Sequence, residues 1–438
     1  MKSKLTFIFS ILILFSCNTN SKSTVPAKEW IRTATIYELI PYKFSEAKSL
    51  QGVIDNINHF RKLNANTVSL ISMLKYEDPG NNFNPGNVNS VSDHYSINPR
   101  YGDMKEVIRF IDTLHHTHMR VLLEIDMTLT HPLHTWRKEK PDYYLSSEAM
   151  VNNNFNPDYV KLNLSNVNVQ KEWIKILEHW MSTLPIDGFI LRSTESAPDA
   201  FLEDIIKAVS SDPSRVCIID KCTEGSKSIP AFHGEINHDL YAQFLKMNND
   251  SVDMSFFQKM IDQSKSENFF FVNYSHDLHI DEYEATVPQR FYSNHRALAV
   301  LCNFLPGVPI MLNGQEEPLY ERINTFNTTP IKMPFLFDLV FYRAMFIHRY
   351  SNKSVQAVRK ENEVSIVSSS PQVLCMLRKT GDHQDLILVN LSTKAASFHI
   401  DTNFPKCYEL FTTVLQEFDT ATEYKLYPFQ FLVLTNKF

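Results

Sequence analysis

The sequence predicts an α/β protein: a (β/α)8 TIM barrel of parallel strands, a small inserted subdomain after strand 3, and a C-terminal antiparallel β-sandwich domain. Three observations predict it. From Thr35 onward, short apolar runs alternate with longer amphipathic helical patterns, unbroken by a domain-sized repeat or a low-complexity block. Seven such runs and a weaker eighth fall within roughly 320 residues, which favours a closed barrel over a doubly wound sheet. After about Ser351 the texture changes to short strands with period-2 alternation.

The strand candidates, in order, are IYELI (36–40), TVSLIS (67–72), VLLEI (121–125), GFIL (188–191), VCIID (216–220), a weak segment near Phe232 to Leu240, FFFVN (269–273) and VPIML (308–312). Two of the intervening helices carry clear signatures. Met104 to His118 places Met104, Val107, Ile108, Ile111 and Leu114 on one face, with Asp103 and Glu106 spaced as a capping box. Val169 to Met181 carries the stripe Trp173, Ile176, Leu177, Trp180 and Met181, which reads as core. The polar connection from about 131 to 160 is too long for an ordinary βα loop and marks the inserted subdomain. In the last part of the chain EVSIVSS, QVLCMLRK, DLILVNLS, ASFHI, CYELFT and FQFLVL read as the strands of an all-β module.

At the N-terminus Lys2 and Lys4 precede the apolar run Leu5 to Phe15, which is about half the ~20 residues of a membrane span and therefore reads as an export signal. Leu14-Phe15-Ser16-Cys17 resembles a bacterial lipobox, whose Cys becomes lipidated; an ordinary secretory signal with an incidental Cys is the alternative. The expected organisation is a signal peptide and lipobox over 1–17, a polar tether over 18–28, the barrel over 29–350 and the β domain over 351–438. The expected location is the bacterial cell envelope, exported and lipid-anchored, with membrane contact through the anchor only.

With 43 Lys and Arg against 49 Asp and Glu, the net charge of −6 is small and scattered. That argues against a nucleic-acid footprint and leaves small molecules or proteins as partners. Beyond Cys17, the cysteines Cys217, Cys222, Cys302, Cys375 and Cys407 are far apart and form no CxxC pair. They predict free thiols, without a disulfide framework or zinc site, and no cofactor is expected.

IYELIPYKFSE, DHYSINPRYGDMKEVIRFID, DGFILR, FVNYSHD and LPGVPIMLNGQEE are similar, in order and spacing, to the signature segments of the alpha-amylase family of glycoside hydrolases. The resemblance runs from about Trp30 to the C-terminus. It implies the barrel already read from the alternation, and retaining hydrolysis or transfer of alpha-glucosidic bonds. Such chemistry needs a carboxylate nucleophile and a carboxylic acid about 5 to 5.5 Å apart.

Laid on the family pattern, the site residues are changed. Gly188 and Phe189 match the nucleophile segment, Ile190 replaces its arginine, and Arg192 stands at the nucleophile's place. A guanidinium cannot form a glycosyl ester. Asp220 stands where the acid Glu belongs, one methylene shorter. His276 and Asp277 are unchanged: His276 is implied to bind substrate and Asp277 to stabilise the transition state, although Ser275 replaces the usual Asn. The first segment reads Glu124, Thr128 and Leu129 in place of Asp, Asn and His, and Val88, Asn89 and Ser90 align with the family's sugar-gripping Gly-Tyr-Asp.

Two roles for Arg192 stand: an ion-paired plug that neutralises Asp220 and Asp277, or a clamp for an anionic ligand. Glu195 reads as a solvated loop residue rather than a displaced nucleophile. His115, His116 and His118 sit at a helix C-terminus, where imidazoles suit the dipole, so a metal is not expected there. Glu316 and Glu317 read as structural support. Tyr42, Tyr95, Trp136 and Tyr143 would either stack on sugars or pack in the core.

Three functions follow as expectations. One is a catalytically impaired, lipid-anchored barrel that binds alpha-glucan or maltooligosaccharide, or acts as an interaction subunit with an envelope protein partner. Another is an active hydrolase or transglycosylase that uses Asp220 and Asp277 in altered roles. The third is a protein-interaction barrel with no sugar affinity.

Overall fold

A computed structural model describes residues 25–437 except 72, 77–87, 147–158, 221–228, 230, 279–284, 292–293, 318, 320, 326, 334 and 369. The signal segment, Cys17 and Cys222 lie outside the described residues.

Eight parallel strands close the barrel: β1 Ile36–Leu39, β2 Thr67–Leu70, β3 Arg120–Asp126, β4 Gly188–Arg192, β5 Val216–Ile219, β6 His233–Ile236, β7 Phe269–Asn273 and β8 Val308–Leu312. They follow chain order around the ring, with β1 pairing both β2 and β8. All eight coincide with the expected runs, including the weak sixth. The register sets the mouth: Glu124 lies opposite Ile190, and Asp126 opposite Arg192. Gly188 enters β4 at φ 153°, where a Cβ would fall 2.0 Å from the Val216 carbonyl oxygen, so this strand can start only with glycine.

The helix Met104–His116 begins with the expected capping box of Asp103 and Glu106 and buries Val107, Phe110, Ile111 and Leu114. In the helix Val167–Thr183, Asn166 caps the N-terminus, and Val169, Trp173, Ile176, Leu177 and Trp180 are buried.

The inserted subdomain differs from the expectation. Its sheet has four strands in the order Leu74–Tyr76, Val91–Ile97, Leu129–Thr130 and Val160–Lys161. It is therefore shared between the connection after β2 and the one after β3, and does not belong to 131–160 alone. The two-residue strands carry no periodicity of their own, because pairing rather than local pattern defines them.

The C-terminal strands are β9 Glu363–Ile366, β10 Val373–Thr380, β11 His383–Asn390, β12 Ala396–Phe398, β13 Phe404–Glu409, β14 Leu415–Phe418, β15 Tyr424–Leu426 and β16 Phe431–Thr435. They form an antiparallel six-stranded sheet, β9-β10-β11-β16-β13-β14, and a two-stranded one, β12-β15. Alternation explains the dense apolar run in β10. Leu374 and Met376 join the core continuous with the barrel, while Val373 and Cys375 join a second core between the sheets. The unexpected strands β14 and β15 each bury only their last residue, which hid them in the sequence. Cys217, Cys302, Cys375 and Cys407 are free and buried.

Two buried arginines tie the layers together. Arg349 donates to the carbonyls of Ala34 (3.0 Å), Val355 (3.0 Å) and Gly307 (2.7 Å). Arg378 of β10 donates to those of Ser354 (2.8 Å) and Phe304 (2.6 Å).

Candidate active site

Parallel strands deliver their C-terminal ends to one rim. That rim carries Glu38 of β1, Glu124 and Asp126 of β3, Arg192 at the end of β4, Asp220 directly after β5, His238 at the start of the helix after β6, and Tyr274 and Asp277 after β7. These residues line an open cavity of about 580 Å3.

Arg192 is the centre of the floor. Its Nε donates to Glu124 Oε1 at 2.7 Å and its Nη2 to Glu38 Oε1 at 2.6 Å. Nη2 also lies 3.3 Å from Asp277 Oδ2, and Nη1 lies 3.5 Å from Asp220 Oδ1. All three guanidinium nitrogens thus face carboxylates. Burial alone would lower the Arg192 pKa, but the four acids outweigh it and raise it well above the ordinary value. Beside it, burial and then the charge of Glu124 push Glu38 well above the usual carboxylate range, against the pull of Arg192. The second oxygen of Glu124 accepts from Ser69 Oγ at 2.7 Å.

The turn after β4 is held by Asp220 and by one more acid, Asp126. Ser193 adopts φ 57°, a left-handed conformation unusual for a residue with a side chain. Its N–H donates to Asp220 Oδ2 at 3.1 Å, and its hydroxyl to Asp126 Oδ2 at 2.6 Å. Burial raises the Asp126 pKa, although hydrogen bonds from Ser193, Thr128 and Leu129 oppose it.

On the wall, His238 Nε2 lies 2.6 Å from Asp220 Oδ1, and its Nδ1 lies 2.8 Å from the Tyr274 hydroxyl. Burial works against the charged form of both partners. The hydrogen bond between them wins, holding Asp220 below and His238 above their ordinary pKa values. Asp220 is therefore a carboxylate in neutral solution, and the pairing favours the protonated form of the imidazole.

Asp220 and Asp277, singled out in the sequence together with Arg192, lie within 3.5 Å of its guanidinium, and they are joined by Glu38, His238, Tyr274 and Asp126, which the sequence reading left out. Glu38 had a readable signal, because it is a lone charge in a buried apolar strand, which requires a partner. His276 stands apart from the substrate-binding role expected of it. It is 4% exposed, bonded to Ser275 Oγ at 2.9 Å, and is not among the residues that line the cavity; burial lowers its pKa well below the ordinary value. The aromatic candidates also turn inward. Tyr42 is buried with its hydroxyl on the Thr325 carbonyl, Trp136 stacks on His94, Tyr143 is buried, and Tyr95 bonds Glu172. Among the described residues, the aromatic rings on the cavity are Tyr159 and Tyr274.

Glu195 is exposed at the cavity's edge, as expected of a loop residue. His115 bonds Asp187 at 2.8 Å. Glu316 is fully buried, 2.5 Å from His59 Nε2, and accepts the Gly314 N–H, which is a supporting role. Thr128 and Leu129 line the cavity where the resemblance implies Asn and His, and Val88 and Asn89 line it where it implies Gly-Tyr.

Barrel and rim together define a (β/α)8 barrel with acids gathered at the strand C-termini around one pocket. The sequence is similar to proteins of the alpha-amylase family. It is 25% identical over 227 residues to alpha-amylase 3 of Dictyoglomus thermophilum, a match covering 45% of this chain and 43% of that one. It is 22% identical over 259 residues to an intracellular maltogenic amylase of Bacillus subtilis, covering 49% and 42%. The chain thus matches less than half the length of either relative. Among solved structures, a maltogenic alpha-amylase from Thermotoga neapolitana superposes with a TM-score of 0.76 at 18% identity, covering 92% of this chain and 99% of that one. No family model matches the sequence.

Proposed function

We propose that this protein binds alpha-glucan or maltooligosaccharide at the barrel mouth and is impaired in hydrolysing it, as an exported, lipid-anchored protein of the cell envelope. One observation carries the reading: Arg192 stands at the nucleophile's place with every nitrogen facing a carboxylate. A covalent glycosyl intermediate needs a free carboxylate there. The acids that remain are engaged, Asp277 and Asp220 by Arg192 and Asp220 also by His238. The same pairing surrounds Arg192 with negative charge that would repel an anion, which favours a plug over a clamp. The open cavity above it, with Tyr159 and Tyr274 on its walls, suits a neutral sugar.

A second reading rests on a separate observation. His238, whose pKa is raised by its hydrogen bond to Asp220, offers a proton donor beside the family's acid position. On this reading the protein is a working hydrolase or transglycosylase, with Asp220 and His238 acting as the acid and Asp277 in an altered role.

Two measurements on the intact protein separate them: titration calorimetry with maltoheptaose, and release of reducing sugar from maltooligosaccharides. Saturable heat without release is the expected outcome. Release that disappears in Asp277→Ala establishes the second reading, and flat calorimetry without release removes both.

A further inference from the structure

At the opposite end of the barrel, between the starts of β7 and β8 and the first C-terminal strands, lies a second cavity of about 190 Å3. Its charge is one-sided. Lys28, Arg32, Lys265, Arg359, Lys360 and Arg378 line it, against a single acid, Glu267.

Three of the six cations have carboxylate partners: Arg32 pairs with Glu29, Lys265 with Asp262, and Lys360 with Glu267. The other three have none within ion-pair distance among the described residues. Lys28 bonds the neutral Asn268 at 2.8 Å, Arg359 bonds the neutral Gln356 at 2.7 Å, and Arg378 bonds backbone carbonyls. The Nε of Arg32 is buried and has no hydrogen-bond partner. Burial, and then the nearby charge of Arg32, lower the Arg359 pKa, and burial lowers that of Arg378 to about 10. Like charges have been gathered here at a cost, which Glu361 and Glu29 offset at Arg359 and Asp385 at Arg378 only in part.

We infer that this basal cavity is a binding site for a small phosphate-class oxyanion, contacted chiefly by Arg32, Arg359 and Lys28. Guanidinium forks and an ammonium match phosphate oxygens through charge-assisted hydrogen bonds. The volume lies below the ~300 Å3 at which sites for larger organic ligands begin, so the occupant is inorganic phosphate or a small phosphate ester, not a glucan chain. Arg359 and Arg378 belong to the C-terminal part of the chain and Lys28 and Arg32 to the segment before β1, so the anion would bridge the barrel base and the β domain. An occupied site stabilises the fold by mass action. This inference is independent of the chemistry at the mouth.

The test is calorimetry and thermal unfolding of the intact protein with inorganic phosphate, against sodium chloride at matched ionic strength. The expected result is saturable heat and a higher Tm in phosphate. In Arg359→Gln and in Arg32→Gln, affinity should fall about tenfold or more, the scale of one charge-assisted hydrogen bond. Glucose 1-phosphate is the second probe: tighter binding than inorganic phosphate assigns the site to an ester, and equal or weaker binding to free phosphate. Phosphate heat and Tm no different from chloride would overturn the inference, as would unchanged affinity in both variants.

Discussion

Nε2 of His238 lies 2.6 Å from Oδ1 of Asp220, and this contact divides the proton at the barrel mouth in favour of the histidine. The pH dependence follows by linkage. Asp220, whose folded pKa is depressed, contributes stability above its unfolded value near 3.8, and this is lost as pH falls through the lower folded value. His238, whose folded pKa is raised, contributes stability below its unfolded value near 6.5, and this is lost as pH rises through the higher folded value. The pair is thus complete between those two values. An NMR titration should place the His238 imidazole above 6.5, and Asp220→Asn should move it back toward or below that value. An unshifted imidazole would refute the pairing.

Arg192 should matter to stability far more than a surface arginine. Replacing it with Met leaves Glu38, Glu124, Asp220 and Asp277 without their shared cation. A loss of about 3 to 5 kcal/mol is expected, as for other broken buried pairs. The loss should be smaller at pH 5 than at pH 8, because protonation relieves the repulsion among the acids. Denaturant unfolding of the variant at the two pH values measures it.

Glu38 should behave differently from its neighbours. Its folded pKa is raised, so it holds its proton more readily than an ordinary carboxylate, and Glu38→Gln keeps an uncharged acceptor for Arg192. Near pH 5 this substitution should change stability by less than about 1 kcal/mol. A large loss in the same unfolding assay would mean that Glu38 is ionised there.

The expected strands emerged where the sequence put them because a parallel barrel strand is buried on both sides and shows as a compact apolar run whatever its neighbours. The cap at Asp103 was readable for a similar reason, since the box needs only residues three apart. The shared sheet of the subdomain was not readable, because Leu74–Tyr76 and Leu129–Thr130 come together only across the fold. The site divided along the same line. Arg192, Asp220 and Asp277 lie in segments with a recognisable order. Glu38 and His238 enter only when the ring closes and brings β1 and β6 to the same rim as β4 and β5.

By itself the sequence determined the barrel, its all-β partner and the cation at the end of the fourth strand, because these rest on local periodicity and on which residue occupies a position. The tertiary structure alone decided that four acids surround that cation, that His238 pairs with Asp220, and that Tyr42 and Trp136 face the core. Charge pairing acts over a few ångströms of space with no regard to separation along the chain, so it becomes visible only once the strands have closed.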